Sequence, residues 1–183
     1  MRIISGSHRG HCIKVPRGDK VRPTTDRVRE AIFSILSPYL DQARVLDAFA
    51  GSGALGLEAI SRGAQKATFV EIDRKVLKIL RENVKTFAPK KVRLVNSKAT
   101  QSFKLLSDEE EKFDIIFLDP PYGLKLLPAH LELIGQKNIL ADDGIVVCEH
   151  PKQQNLSDHY GPLNQIDNRQ YGDINIVFFT HSH

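Results

Sequence analysis

"LDAFAGSGALG", residues 46–56, decides the fold. An apolar, strand-like run ends in the carboxylate of Asp47. The chain then passes through Gly51, Gly53 and Gly56 at G-x-G-x-x-G spacing into a helical pattern. Glycines suit this turn because the backbone must take positive φ and let a ligand approach closely. Spacing alone fits either a dinucleotide site or a plain strand-to-helix turn. Asp47 separates the cofactors. A pyrophosphate at the helix N-terminus would be repelled by a carboxylate four residues before the first glycine, whereas the ammonium and sulfonium of S-adenosylmethionine favour one. Glu71 ends the next apolar run, in "FVEID", where a carboxylate can accept from both ribose hydroxyls of an adenosine cofactor.

From residue 44 onward, short apolar runs alternate with helical patterns, as in βαβ units around a parallel sheet. The runs are "RVLDAF", "ATFVEI", "VRLVN", "FDIIFLD" and "GIVVCE", with helices beginning near Ala54, Arg74, Thr100 and Leu124 and a last strand, "INIVFFT". Upstream, "RPTTDRVREAIFSIL" opens on Pro23 and cap-capable Thr24, Thr25 and Asp26. It carries Val28, Ile32, Ile35 and Leu36 at helical spacing. The pattern predicts an α/β domain with a mostly parallel seven-stranded sheet and helices on both faces, over residues 23–183. Residues 1–22 are expected to form a basic β-hairpin extension, from the β-prone "RIIS" and "HCIKV" flanking "GSHRG". In such sheets ligands bind at the carboxyl ends of the strands, near the switch in strand order.

The fourth run ends in Asp119-Pro120-Pro121-Tyr122. An exocyclic amine on a nucleobase is a poor nucleophile because its lone pair is delocalised into the ring. A carboxylate and a rigid carbonyl can each accept one of its N–H groups, leaving the lone pair free to point at a methyl carbon, while an aromatic ring stacks on the base. Prolines fix φ and keep that carbonyl aimed. The motif does not distinguish an adenine from a guanine amine.

Charge is unevenly spread. Residues 1–30 hold eight basic and three acidic side chains, a net of +5, whereas the other 153 residues hold 18 and 19. A basic arm of this kind is the footprint of a polyanion partner. Arg2, Arg9, Lys14, Arg17, Arg22, Arg27 and Arg29 are its candidate RNA contacts. No run reaches the roughly 20 apolar residues of a membrane span, and no secretory leader is evident, so the cytoplasm is the expected compartment. Cys12 and Cys148 are far apart and the seven histidines are scattered, which supports neither a disulfide nor a metal site.

"RIISGSHRG", "RPTTDRVREAIFSIL", "DAFAGSGALGLEAISRGA", "FVEID", "FLDPPY" and "YGD" occur in the order and spacing of the RsmD-like family, and the chain resembles it over about residues 1–180. The family comprises bacterial methyltransferases acting on a guanine N2 of 16S ribosomal RNA. The resemblance implies a Rossmann-like S-adenosylmethionine-dependent fold without metal, and 16S rRNA, within the small ribosomal subunit, as substrate of a monomeric enzyme. It implies cofactor contacts from Asp47, Ala50, Gly51, Ser52, Gly53, Glu71, Ile72 and Ala99, with Asp119, Pro120, Pro121 and Tyr122 around the target base. The stretch Arg22 to Arg29 is implied near the cofactor and RNA entrance. Two positions depart from the family pattern: Lys98 stands where an acidic residue usually meets adenine, and Ser5 where glycine is common. Adenine is then left to a backbone group, Ser97, Asn96 or apolar packing on Ile72. The alternatives are an adenine-N6 methyltransferase on DNA or RNA, an NAD-binding oxidoreductase, which Asp47 disfavours, and a non-catalytic RNA-binding module, which has no use for Asp119.

Overall fold

The computed structural model describes residues 1–16, 25–87, 90–121 and 126–182. Its first helix, α1 (Asp26–Leu36), starts where the Thr25 hydroxyl accepts from the Val28 N–H at 3.3 Å. It buries Val28, Arg29, Ile32, Phe33 and Leu36, and a short 3-10 turn follows at Ser37–Tyr39. Strands and helices then alternate: β1 (Arg44–Asp47), α2 (Ala54–Ser61), β2 (Lys66–Val70), α3 (Arg74–Phe87), β3 (Val92–Val95), α4 (Ala99–Asp108), β4 (Phe113–Leu118), α5 (Leu127–Lys137) and β5 (Leu140–Pro151). Three strands close the chain, β6 (His159–Tyr160), β7 (Leu163–Tyr171) and β8 (Ile174–His181).

All of these strands join one sheet in the order β3-β2-β1-β4-β5-β8-β7-β6, parallel from β3 to β5 and antiparallel beyond. The described residues thus hold eight strands rather than seven. The extra one is the two-residue β6, too short to leave a periodic signal. The apolar runs are continuous because both sheet faces are covered. Val45, Ile115 and Val147 pack with α1, α2 and α3 on one face, and Leu46, Ile116 and Val146 with α4 and α5 on the other. Strand β5 is longer than "GIVVCE". The register shift against β4 between Phe113 and Ile115 absorbs the exposed Asp142 and Asp143.

Within residues 1–16 the arm doubles back through one antiparallel bridge, Arg2 to Cys12. It is docked on the domain by Ile3 and Ile13, both buried with the α1–α3 layer. Buried polar side chains staple its backbone. Glu58 accepts from the Ile4 and Ser5 N–H groups at 2.8 and 3.0 Å, and Ser61 Oγ donates to Ser5 O and accepts from the His8 N–H. Asn83 exchanges two hydrogen bonds with Lys14 and donates a third to Ser52 O at 2.8 Å. Arg17 and Arg22 lie outside the described residues, as does the predicted 22/23 boundary.

Candidate active site at the switch between β1 and β4

Strand order reverses between β1, whose next strand in sequence lies to one side, and β4, which lies to the other. The carboxyl ends of both strands open there onto one cavity of about 720 Å³. Asp47 at the tip of β1, Glu71 after β2, Ala99 at the start of α4, and Asp119, Pro120 and Pro121 after β4 all line it, as do Ala50, Gly51, Ser52 and Ile72. Gly53 sits behind the loop. Sequence positions spanning more than 70 residues are thereby brought to one pocket by a single topological feature. Tyr122 lies outside the described residues.

Three physical requirements select the three glycines. Gly51 has φ of 53° and a Cβ there would meet open space, so the loop presents bare backbone. Gly53 has φ of 84°, and a Cβ would come 2.5 Å from Leu80 Cδ1. Gly56 sits in α2 against the β2 ring of Phe69, where a Cβ would meet Cε1 at 2.4 Å. Its N–H donates to Asp47 Oδ2 at 3.2 Å, tying the helix to the β1 carboxylate.

The acidic groups are held away from water. Burial pushes the Asp47 carboxyl up to about 7, against the opposing Gly56 hydrogen bond and with the Glu71 charge adding to it. Burial also raises Glu71, whose two oxygens accept from the Gly51 N–H at 3.0 Å and the Asp73 N–H at 2.7 Å. A carboxylate has about four acceptor sites, so two remain for hydroxyl donors. Asp119 is held well above the usual carboxylate range by burial, then by the charges of Glu149 and Asp47. A wall of poorly solvated carboxyl groups, whose ionised form a positive charge stabilises, suits a cationic ligand.

At the adenine end, two of the candidate side chains are committed elsewhere. Asn96 Nδ2 donates to Glu71 O and Ile72 O, and Ser97 Oγ is engaged with Ser102 Oγ and Lys98 O. What faces the cavity is Ile72, 57% exposed, and the start of α4 at Ala99 and Thr100, ahead of the helix's first hydrogen bonds from Gln101 and Ser102 to Lys98 O. Lys98 is exposed on the same rim.

Residues not singled out in the sequence also reach the pocket. Phe49 lies 5.2 Å, ring to ring, from His130. The His130 Nδ1 carries its hydrogen toward Leu126 O at 2.7 Å, which leaves Nε2 as an acceptor, and burial keeps the ring's proton affinity low. Met1, Val15 and Pro16 bring the arm's two ends to the same rim.

The basic set divides. Arg2, Arg9, Lys14 and Arg27 are exposed, with Arg2 paired to Asp26 at 3.7 Å and Lys14 to Glu82 at 2.9 Å. The arm's tip docks at Ser61, so Arg9 sits at the far end of α2 from the cavity, about 12 Å along the helix. Arg29 corrects the expectation of a surface RNA contact: it is fully buried, with its guanidinium on Asp26 and Arg2 O. At position 29 it lies one turn before Ile32 and Phe33, on the buried face of α1. The Tyr171-Gly172-Asp173 stretch is the tight turn between β7 and β8, with Gly172 at φ of 61°.

An open sheet of this order, a glycine loop entered through a buried carboxylate, and an Asp-Pro-Pro strand tip on one cavity define a Rossmann-like S-adenosylmethionine-dependent methyltransferase. The donor set fits the cofactor and, among the described residues, no group of His, Cys, Asp and Glu side chains fit to hold a metal ion is present. A family model described as "Conserved hypothetical protein 95" matches residues 1–180, and the chain belongs to that family, the RsmD family. YlbH of Bacillus subtilis (strain 168) is 39% identical over 180 residues, covering 98% of both chains. The Ribosomal RNA small subunit methyltransferase D of Escherichia coli (strain K12) is 42% identical over 156 residues, covering 85% of this chain and 77% of its own. The solved structure of yhhF from Escherichia coli superposes with a TM-score of 0.85 at 36% identity, covering 100% of this chain and 98% of that one. No helix among the described residues is long and apolar enough to cross a membrane.

Proposed function

We propose that the chain methylates the exocyclic N2 amine of a guanine in small-subunit (16S) ribosomal RNA, in the cytoplasm. The observation that carries this reading is the opening of Asp119-Pro120-Pro121 onto the same cavity as Asp47 and Glu71. The small-subunit rRNA named for the Escherichia coli relative, 42% identical, supports the substrate.

When bound, S-adenosylmethionine supplies an electrophilic methyl group on a sulfonium. Asp47 faces the cofactor's ammonium, Glu71 accepts from its ribose hydroxyls, and Ile72 with the start of α4 packs its adenine. The base is flipped out or already unpaired, because an amine inside a helix cannot reach a strand tip. Asp119 and the Pro120 carbonyl each accept one amine N–H, which turns the nitrogen lone pair toward the methyl carbon. The aligned nitrogen would take the methyl group that the bound cofactor would supply, and Asp119 or water would accept the proton that the nitrogen then sheds. Alignment of this kind supplies several kcal/mol without a strong base. The cofactor's positive charge favours the ionised, accepting form of Asp119.

The test is to incubate the protein with methyl-labelled cofactor and either free 16S rRNA or small subunits lacking the modification, then map the labelled base. Label on guanine N2 is expected. Label on adenine N6 would replace the substrate assignment with the adenine alternative. Asp119→Ala should abolish transfer while cofactor binding is largely retained, and an active variant refutes the amine alignment.

A further inference from the structure

The near-balance of charge beyond residue 30 hides a second segregation. Residues 74–93 hold eight basic side chains and a single acidic one, Glu82. The inner side of α3 is apolar apart from Asn83, with Leu77, Leu80, Val84 and Phe87 in the core, so its cations have only the outer side to occupy. Arg74, Lys78, Arg81 and Lys85 recur there at i, i+4, i+7 and i+11, one stripe about 16 Å long, and all four are exposed. Glu82 is taken by the arm's Lys14 at 2.9 Å. Among the described residues no carboxylate forms an ion pair with any of the four. Like charges three and four residues apart weaken a helix, so the stripe does not serve the stability of α3.

Its position is as informative as its charge. Helix α3 begins at the mouth of the cavity, where Ile72 and Val76 line the wall. It ends at Phe87, whose ring packs edge-on against His11 and His8 of the arm's tip, 5.2 and 5.7 Å away between centres. Arg9 lies between these histidines in sequence and far from the cavity. The stripe spans the gap.

We propose that α3 is a second RNA-binding surface, on which Arg74, Lys78, Arg81 and Lys85 follow the phosphates of one strand from the cavity mouth toward the arm's tip. This rests on RNA being the substrate. A strand within a duplex carries one phosphate per about 3.4 Å of axis, so a face of about 16 Å spans roughly four or five of them. A row of like charges at regular spacing matches a polymer that repeats its own charge. A lipid surface fits less well, because a helix lying on a membrane needs an apolar side free to insert, and that of α3 is used by the core. Phosphate contacts fix register, so the surface holds the RNA that flanks the target base and leaves the chemistry to Asp119.

The experiment measures binding of unmodified 16S rRNA to the full chain as a function of salt. Lys78→Gln combined with Lys85→Gln should reduce the slope of log affinity against log salt by about 1.4–1.8, at roughly 0.7–0.9 per phosphate contact. Glutamine at all four positions should reduce it by about 3. Glutamine is a good helix former, so these exposed substitutions keep α3. Lys104→Gln combined with Lys137→Gln removes the same charge from α4 and α5 on the other face of the sheet and should leave the slope unchanged. In methyl transfer, the α3 variants should raise KM for RNA at constant kcat. In the wild type, bound RNA should slow acetylation of Lys78 and Lys85 and not of Lys104 and Lys137, a readout that needs no variant. Equal slopes for the two double variants overturn the surface, as does acetylation that RNA affects equally at all four lysines. Salt-dependent adsorption to phosphatidylserine vesicles that is lost in the Lys78 and Lys85 double variant, with the RNA slope kept, gives the stripe to a membrane instead. A wild type that neither binds nor methylates 16S rRNA overturns the RNA reading itself, whereas one that does both while the α3 variants keep its slope overturns the surface alone.

Discussion

Lowering the pH from about 8 to about 6 should weaken cofactor binding roughly tenfold, because the carboxyl we assign to the cofactor's ammonium is one the fold holds near neutrality. Asp47 is 2% exposed and its carboxyl is pushed up to about 7 by burial. It is then about nine-tenths ionised at pH 8 and about one-tenth ionised at pH 6, and only the ionised form pairs with a cation. Binding should release close to one proton at pH 6 from Asp47 alone, and few at pH 8. Calorimetry in two buffers of different ionisation enthalpy measures this directly. The stability consequence has the opposite sense. The folded-state value lies above the unfolded one, so Asp47 progressively destabilises the cofactor-free fold as pH rises from about 4 to about 7, with no further change above that. Asp47→Asn should therefore raise the melting temperature at pH 8 while removing most of the pH dependence of binding. A flat affinity between pH 6 and 8, with no buffer-dependent enthalpy, would refute the assignment of Asp47 to the ammonium.

Gly56→Ala should destabilise the protein by about 1–3 kcal/mol in urea unfolding, since its Cβ would meet the buried Phe69 ring at 2.4 Å and neither helix nor sheet can retreat. The same variant should weaken cofactor binding, because the Gly56 N–H positions Asp47; a stable variant with intact affinity would show that α2 shifts freely. Arg9→Ala should lower the salt slope of RNA binding by about one, as expected for one phosphate contact, whereas Lys14→Ala should lower it less because Lys14 must first leave Glu82. Equal slopes for both variants and the wild type would remove the arm from the RNA interface.

The parallel half of the sheet was legible because β1, β2 and β4 are largely buried on both faces and so read as apolar runs. Where that condition fails, the reading fails too. Strand β6 has two residues, and the start of β5 runs through exposed Asp142 and Asp143, ahead of the apolar run "GIVVCE". The site's acidic residues were legible because they stand at strand ends, where topology decides exposure to ligand. Arg29 was not, because a charged residue in a basic stretch reads as surface. Its spacing from Ile32, Phe33 and Leu36 was the available signal. Phe49 and His130 reach the cavity only through tertiary packing, which no local pattern encodes.

The carboxyl we assign to the cofactor's ammonium is one the rest of the fold serves poorly. Asp47 is buried with a proton affinity far above that of a solvated carboxylate. A sequence selected for stability alone would neutralise Asp47, for instance with Asn, since a buried charge without a partner destabilises a domain. Keeping it is reasonable if the bound cofactor's ammonium supplies the missing partner, so that part of the fold's electrostatics is completed by the ligand. The Asn83 bridge ties the arm's Lys14 to the Ser52 carbonyl of the glycine loop, and Arg29 ties Arg2 to the same pocket. The arm and the cavity wall are thus joined by two short hydrogen-bonded links. Binding at either one stiffens the surface offered to the other, and linkage requires the effect to be reciprocal. Cofactor affinity measured with and without RNA should differ by the same factor as RNA affinity measured with and without cofactor. Asn83→Ala should reduce that common factor, because it cuts one of the links while leaving Asp47, Glu71 and Asp119 in place.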